Sequence, residues 1–134
     1  MVEILSTTTQ TQKLSTWQPQ QIPMSEEECE QYRVLIRQSI FASWLNKSRA
    51  SPLQEIYLDV VRRVRELIET GDWDLDFAQY PRSKRTIDRR VNETASPKFY
   101  PHGVVMVVAV SAGVYMPNPQ LFMFKQEPNK KSRC

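Results

Sequence analysis

The stretch from Ser51 to Gly71, SPLQEIYLDVVRRVRELIETG, places Leu53, Ile56, Tyr57, Val60, Val64, Leu67 and Ile68 on one side of a 3.6-residue period. Its ends carry matching punctuation. Ser51 is placed to cap free N–H groups, Pro52 sits where its missing N–H costs nothing, Gln54 occupies the third helical position, and Gly71 supplies a left-handed stop. Arg62, Arg63 and Arg65 fall toward the C-terminal end, where cations are favoured by the helix dipole. A helix with so wide an apolar stripe is stable only when that stripe is buried, so the rest of the chain must supply a second layer.

The first partner lies upstream. Ser25 followed by Glu26, Glu27 and Glu28 predicts a capped helix start, with Glu28 reaching back as a capping box. Tyr32, Leu35, Ile36, Ile40, Phe41, Trp44 and Leu45 then recur at helical spacing. After Gly71, DWDLDFAQYP alternates Trp73, Leu75 and Phe77 with Asp72, Asp74 and Asp76, a pattern compatible with a short strand or with a short helix capped by Asp74 or Asp76. Tyr80-Pro81 breaks the chain. Beyond Ser96-Pro97 the texture changes: Val104 to Val110 is nearly continuous and β-branched, Ser111-Ala112-Gly113 is a turn, and Val114 to Met116 is a return strand. These elements predict an α+β fold, a mainly helical core of three or more helices with a C-terminal β-hairpin. Residues 1–23 are expected to form a flexible arm, 24–125 a single domain and 126–134 a flexible basic tail.

Composition restricts function further. At 134 residues, 40% hydrophobic and 25% charged, the chain matches a soluble globular domain. No apolar run approaches the ~18–20 residues that span a bilayer, and the N-terminus lacks a secretory pattern, so a cytoplasmic protein without a membrane partner is expected. Cys29 and Cys134 do not suggest a disulfide. Three glycines form no phosphate loop, no base neighbours a Ser or Cys nucleophile, and the Asp72, Asp74, Asp76 series lacks the glycine and distal glutamate of a calcium loop. His102, beside Gly103, is a turn residue at a strand entry. The expectation is a non-enzyme with no cofactor, metal or small-molecule substrate.

Charge is concentrated in one segment. Net charge is +3, yet Arg82, Lys84, Arg85, Arg89, Arg90 and Lys98 are opposed between residues 82 and 98 only by Asp88 and Glu93. Within RSKRTIDRRVNE, Ser83 is placed as an N-cap. Turning from Lys84 by about 100° per residue groups Ile87, Val91 and Thr94 on one side and Arg85, Arg89 and Asn92 on the other, with Lys84 and Arg90 flanking. Arginine offers charge for phosphate and a planar fork for guanine edges, while an asparagine amide can meet adenine bidentately.

With Ser83, Thr86-Ile87, Arg89-Arg90 and Val91 in these places, the segment resembles the recognition helix of helix-turn-helix proteins, and the strands from Val104 to Met116 resemble the wing of a winged helix. The resemblance spans about residues 72–116. It implies a regulator or accessory factor of double-stranded DNA, with Lys84, Arg85, Arg89 and Asn92 toward bases, Arg82, Arg90 or Lys98 toward phosphate, and Ser83 at the helix start. A homodimer is expected on this view, with Phe41, Trp44 and Leu45 as an interface. Two other classes stay open: an adaptor that uses the basic helix and apolar strands to bind protein, and a structured-RNA binder.

Overall fold

The computed structural model describes residues 22–122, so most of the expected arm and all of the expected tail lie outside the described residues. Three helices and three strands follow in the order α1 (Glu26–Lys47), β1 (Ser51–Pro52), α2 (Leu53–Thr70), α3 (Lys84–Thr94), β2 (Val107–Ser111) and β3 (Val114–Pro117), with a 3₁₀ turn at Pro97–Phe99. The class is α+β, as the switch from helical to strand periodicity predicts.

Helix α1 starts at its sequence cap: the Ser25 hydroxyl accepts from the Glu28 N–H at 3.1 Å. Tyr32, Leu35, Ile36 and Ile40 are buried, whereas Leu45 is 73% exposed and does not belong to the packed stripe. In α2, Ile56, Val60 and Val64 face this row, and α3 closes the apolar centre with Ile87 and Val91. Between them the three helices remove every branched aliphatic side chain of the α3 anchor from water.

Ser51 departs from its expected role. It pairs with Tyr115 in a short antiparallel strand, and Pro52 takes the N-cap position without a side-chain bond. The Leu53 N–H is satisfied by the Gly113 carbonyl of the hairpin turn at 2.9 Å. The hairpin thus caps α2, which local sequence around residue 51 does not reveal. Gly113 itself has φ +75, the left-handed conformation that favours glycine, and the Cδ1 of Leu53 lies 3.4 Å from where a Cβ would stand. Strand β3 is central, in the order β1-β3-β2. Val107 opposes Pro117 and Ala109 opposes Tyr115, with an irregularity before the Ser111–Val114 pair.

The connection at residues 71–83 is neither strand nor helix. Asp74 Oδ1 accepts from the Asp76 N–H at 2.8 Å, and the Phe77 N–H donates to the Asp74 carbonyl at 3.1 Å, closing a local turn. Trp73 is buried beneath it, donates Nε1–H to the Ala78 carbonyl at 3.0 Å, and meets Tyr32 of α1 and Phe77 edge-on. Asp74 is therefore the turn former of this series, beside one aromatic anchor.

Asp59 ties α2 to both neighbours on its own surface, accepting from Arg62 and Arg63 at 2.7 Å each. Burial alone would raise its carboxyl pKa, but the hydrogen bonds from Arg63, Arg62 and Ser39 hold it down to about 2. Since the folded value lies below the ordinary 3.8, this stabilisation is complete above about pH 4 and is lost as pH falls through about 2. In urea unfolding, the stability gap between the parent and Asp59→Asn should accordingly narrow between pH 4 and pH 2. Separately, Ile87→Ala should cost about 2–5 kcal/mol, whereas Leu45→Ala should stay within about 0.5 kcal/mol.

Candidate nucleic-acid interface

Helix α3 owes its start to Ser83, whose hydroxyl accepts from the Thr86 N–H at 3.3 Å. Its apolar edge, Ile87, Val91 and Thr94, is buried. The Thr94 hydroxyl is satisfied by the Val91 carbonyl at 2.6 Å, and the Thr94 carbonyl accepts from the Tyr100 hydroxyl. The opposite edge carries Arg85, Arg89 and Asn92, all exposed.

The cations of this segment fall into three groups. Arg82, expected at a phosphate, is instead 3% exposed. Its guanidinium forms a bidentate pair with Glu28, Nε–Oε2 at 2.8 Å and Nη2–Oε1 at 2.7 Å, and Nη1 donates to the Ile22 carbonyl at 2.7 Å. The Arg82 backbone N–H donates to the Tyr32 hydroxyl at 3.0 Å. Glu28 hydrogen bonds hold the Arg82 pKa above its ordinary value, and burial raises that of Tyr32. Glu28 therefore does not close a capping box; its carboxylate spans 54 positions to fix the entry of α3.

Arg90 is also drawn inward. It pairs with Glu93 at 2.9 Å and donates to the Cys29 sulfur at 3.1 Å, with its side chain 15% exposed. Glu93 in turn accepts from Arg33 of α1 at 2.6 Å. Arg33, 3% exposed at its side chain, also pairs with Glu30 and Glu26 and lies 4.7 Å from the Phe99 ring centroid. Burial would depress the Arg33 pKa, but hydrogen bonds to the three glutamates raise it. Both internal arginines are thus charged structural ties, not surface contacts.

Lys84 holds an intermediate position, paired with Asp88 at 2.7 Å yet 42% exposed. An exposed pair of this kind is worth at most about 1 kcal/mol and exchanges readily. Arg85, Arg89 and Lys98 are exposed and make no hydrogen bond or ion pair with any described residue. Of the eight positions expected at the interface, the structure brings Arg85, Arg89 and Asn92 onto one face, with Lys84 beside them and Ser83 at its end. Lys98 follows in the 3₁₀ turn.

Tyr115 packs inward and bonds to the outer edge of α3, a link that sequence patterning does not identify. Only 5% exposed on β3, it donates its hydroxyl proton to Asn92 Oδ1, linking the sheet to the outer edge of α3. The alternation of β3 places Tyr115 inward, but no spacing rule connects it to residue 92. Among the described residues, no group of three or more His, Cys, Asp and Glu side chains is placed to hold a metal ion. No described helix is long and apolar enough to cross a membrane. No family model, curated protein or solved structure matches the chain.

The buried pair and its surface counterpart should separate on substitution. Glu28→Gln strands the Arg82 guanidinium in the interior and should cost about 3–5 kcal/mol in denaturant unfolding. Glu55→Gln, which breaks the half-exposed Arg49–Glu55 pair of 2.8 Å, should cost no more than about 1 kcal/mol.

Proposed function

We propose that the chain is a double-stranded DNA-binding protein of winged-helix type, acting as a regulator or accessory factor, with α3 as the recognition helix and the β2–β3 hairpin as the wing. The observation that carries this reading is the one-sided chemistry of α3. Ile87, Val91 and Thr94 are buried, while Arg85 and Arg89 are exposed and without partners among the described residues. Cations without local carboxylates retain their full attraction for a polyanion, and the guanidinium fork suits phosphate and guanine alike.

Element order supports the same reading. A short helix with a basic outer edge is followed by a hairpin, to which the short strand is added in the order β1-β3-β2. The acidic connection at Asp72, Asp74 and Asp76 lies before α3 in sequence, and Asp74 engages its own turn. On this reading Lys84, Arg85, Arg89 and Asn92 approach base edges, and Lys98 approaches phosphate. Arg82 and Arg90 hold the helix from behind.

Purified protein should shift a pool of mixed duplex fragments in electrophoresis, and log affinity should fall linearly with log salt. Each phosphate-paired cation removed should reduce that slope by about 0.9. Arg85→Glu combined with Arg89→Glu should abolish the shift without moving the thermal unfolding midpoint. Parent-like duplex binding by that double variant would refute the proposal.

A further inference from the structure

The outer edge of α3 is chemically lopsided beyond its charge. Each carboxylate of the helix has a cation on it: Asp88 binds Lys84 at 2.7 Å, and Glu93 binds Arg33 at 2.6 Å and Arg90 at 2.9 Å. Arg85 and Arg89 carry donors only. On this edge Asn92 alone combines a donor with an acceptor.

That acceptor is turned toward the sheet. Asn92 Oδ1 receives the Tyr115 hydroxyl proton, and Tyr115 is locked in the central strand, opposite Ser51 of β1 and Ala109 of β2. Burial and the Asp88 carboxylate raise the Tyr115 pKa above its ordinary value, so the phenol keeps its proton at neutral pH. Asn92 as a residue is exposed although its oxygen lies against a buried ring. The amide is therefore turned with Oδ1 toward the sheet and its NH₂ outward.

Resting on the duplex-binding reading above, we infer that Tyr115 is a positioning residue that makes Asn92 a hydrogen-bond donor, and that the preferred duplex carries guanine, not adenine, opposite Asn92. In the major groove guanine presents two acceptors, N7 and O6, whereas adenine presents the acceptor N7 beside the donor N6. A free asparagine amide matches adenine with both of its ends. An amide whose oxygen faces Tyr115 keeps a second lone pair but directs it toward the sheet, so an adenine N6 donor on the outward side meets an NH₂ instead of an acceptor. Residues 85 to 92 rise by about 10 Å along the helix, the length of about three base-pair steps, so the three donor side chains can address neighbouring pairs. Losing one bidentate base contact corresponds to about a five- to hundredfold change in preference.

Selection of bound duplexes from a randomised pool tests this with three proteins. The parent should enrich guanine at the position governed by residue 92. Tyr115→Phe keeps the ring, releases the amide and should admit adenine there, lowering the guanine-to-adenine ratio by about tenfold. Asn92→Asp, an exposed substitution that leaves the core untouched, replaces the outward donor by an acceptor and should shift the same position toward cytosine, whose N4 donates. Thermal unfolding of all three verifies that each is folded. If the parent binds duplex but prefers adenine at that position, or if Asn92→Asp retains the guanine preference, the inference is overturned while the duplex-binding reading stands. Failure of the parent to retain any duplex overturns both.

Discussion

A carboxylate and a guanidinium, Glu28 and Arg82, meet in the interior with side chains 1% and 2% exposed. Two ions are removed from water here, at a desolvation cost that only near-ideal geometry offsets. The geometry is of that kind: two parallel N–H to oxygen bonds, a third bond to a backbone carbonyl, and a tyrosine hydroxyl on the adjoining amide. Such a site tolerates one arrangement of the chain and penalises others. It sets where the chain leaves the Tyr80-Pro81 break and therefore where α3 begins.

The second tie, from Arg33 to Glu93, fixes the far end of α3 to the same helix. Between the two ties, Ile87 and Val91 fill the apolar centre. Helix α3 is thus held at both ends by charge and in the middle by packing, which determines its rotation about its own axis. Rotation is the quantity that matters for a surface: with it fixed, Arg85, Arg89 and Asn92 must face outward. The sheet adds a further constraint through Tyr115, so the hairpin contributes to the chemistry of the α3 surface as well as to its cover. Pairing of Arg82, Arg33 and Arg90 with glutamates of the fold leaves a small set of cations at the face, and it is their placement, not the total charge, that supports the functional reading.

Much of this was legible in periodicity. Apolar spacing in residues 26–45 and 53–68 predicts both long helices; Ser25 and Gly71 mark the start of the first and the end of the second, and Ser83 the start of α3, in agreement with the hydrogen bonds observed. The buried edge of α3 follows from its 100° rotation per residue. What periodicity cannot express is a contact between distant segments. Arg82 and Glu28 each have an adequate local role, one as a surface cation beside other cations and one as a capping residue, and nothing near either position signals the other. Ser51 similarly has the chemistry of a cap, but pairing with Tyr115 depends on a hairpin more than sixty residues later. The same limit hides the bond between Tyr115 and Asn92. In DWDLDFAQYP, alternation suggests a strand although no partner strand is available, and a local turn at Asp74 beside Trp73 takes over.

The division of arginines into internal ties and an outward face is open to direct observation. Hydrogen exchange at arginine Nε–H groups, followed by ¹⁵N NMR on the free protein, reports how often each guanidinium reaches water. Arg82 and Arg33 should exchange far more slowly than Arg85 and Arg89, whose rates should approach those of an unstructured peptide. Equal exchange at Arg82 and Arg85 would contradict the account, because the tie that orients α3 would then be absent.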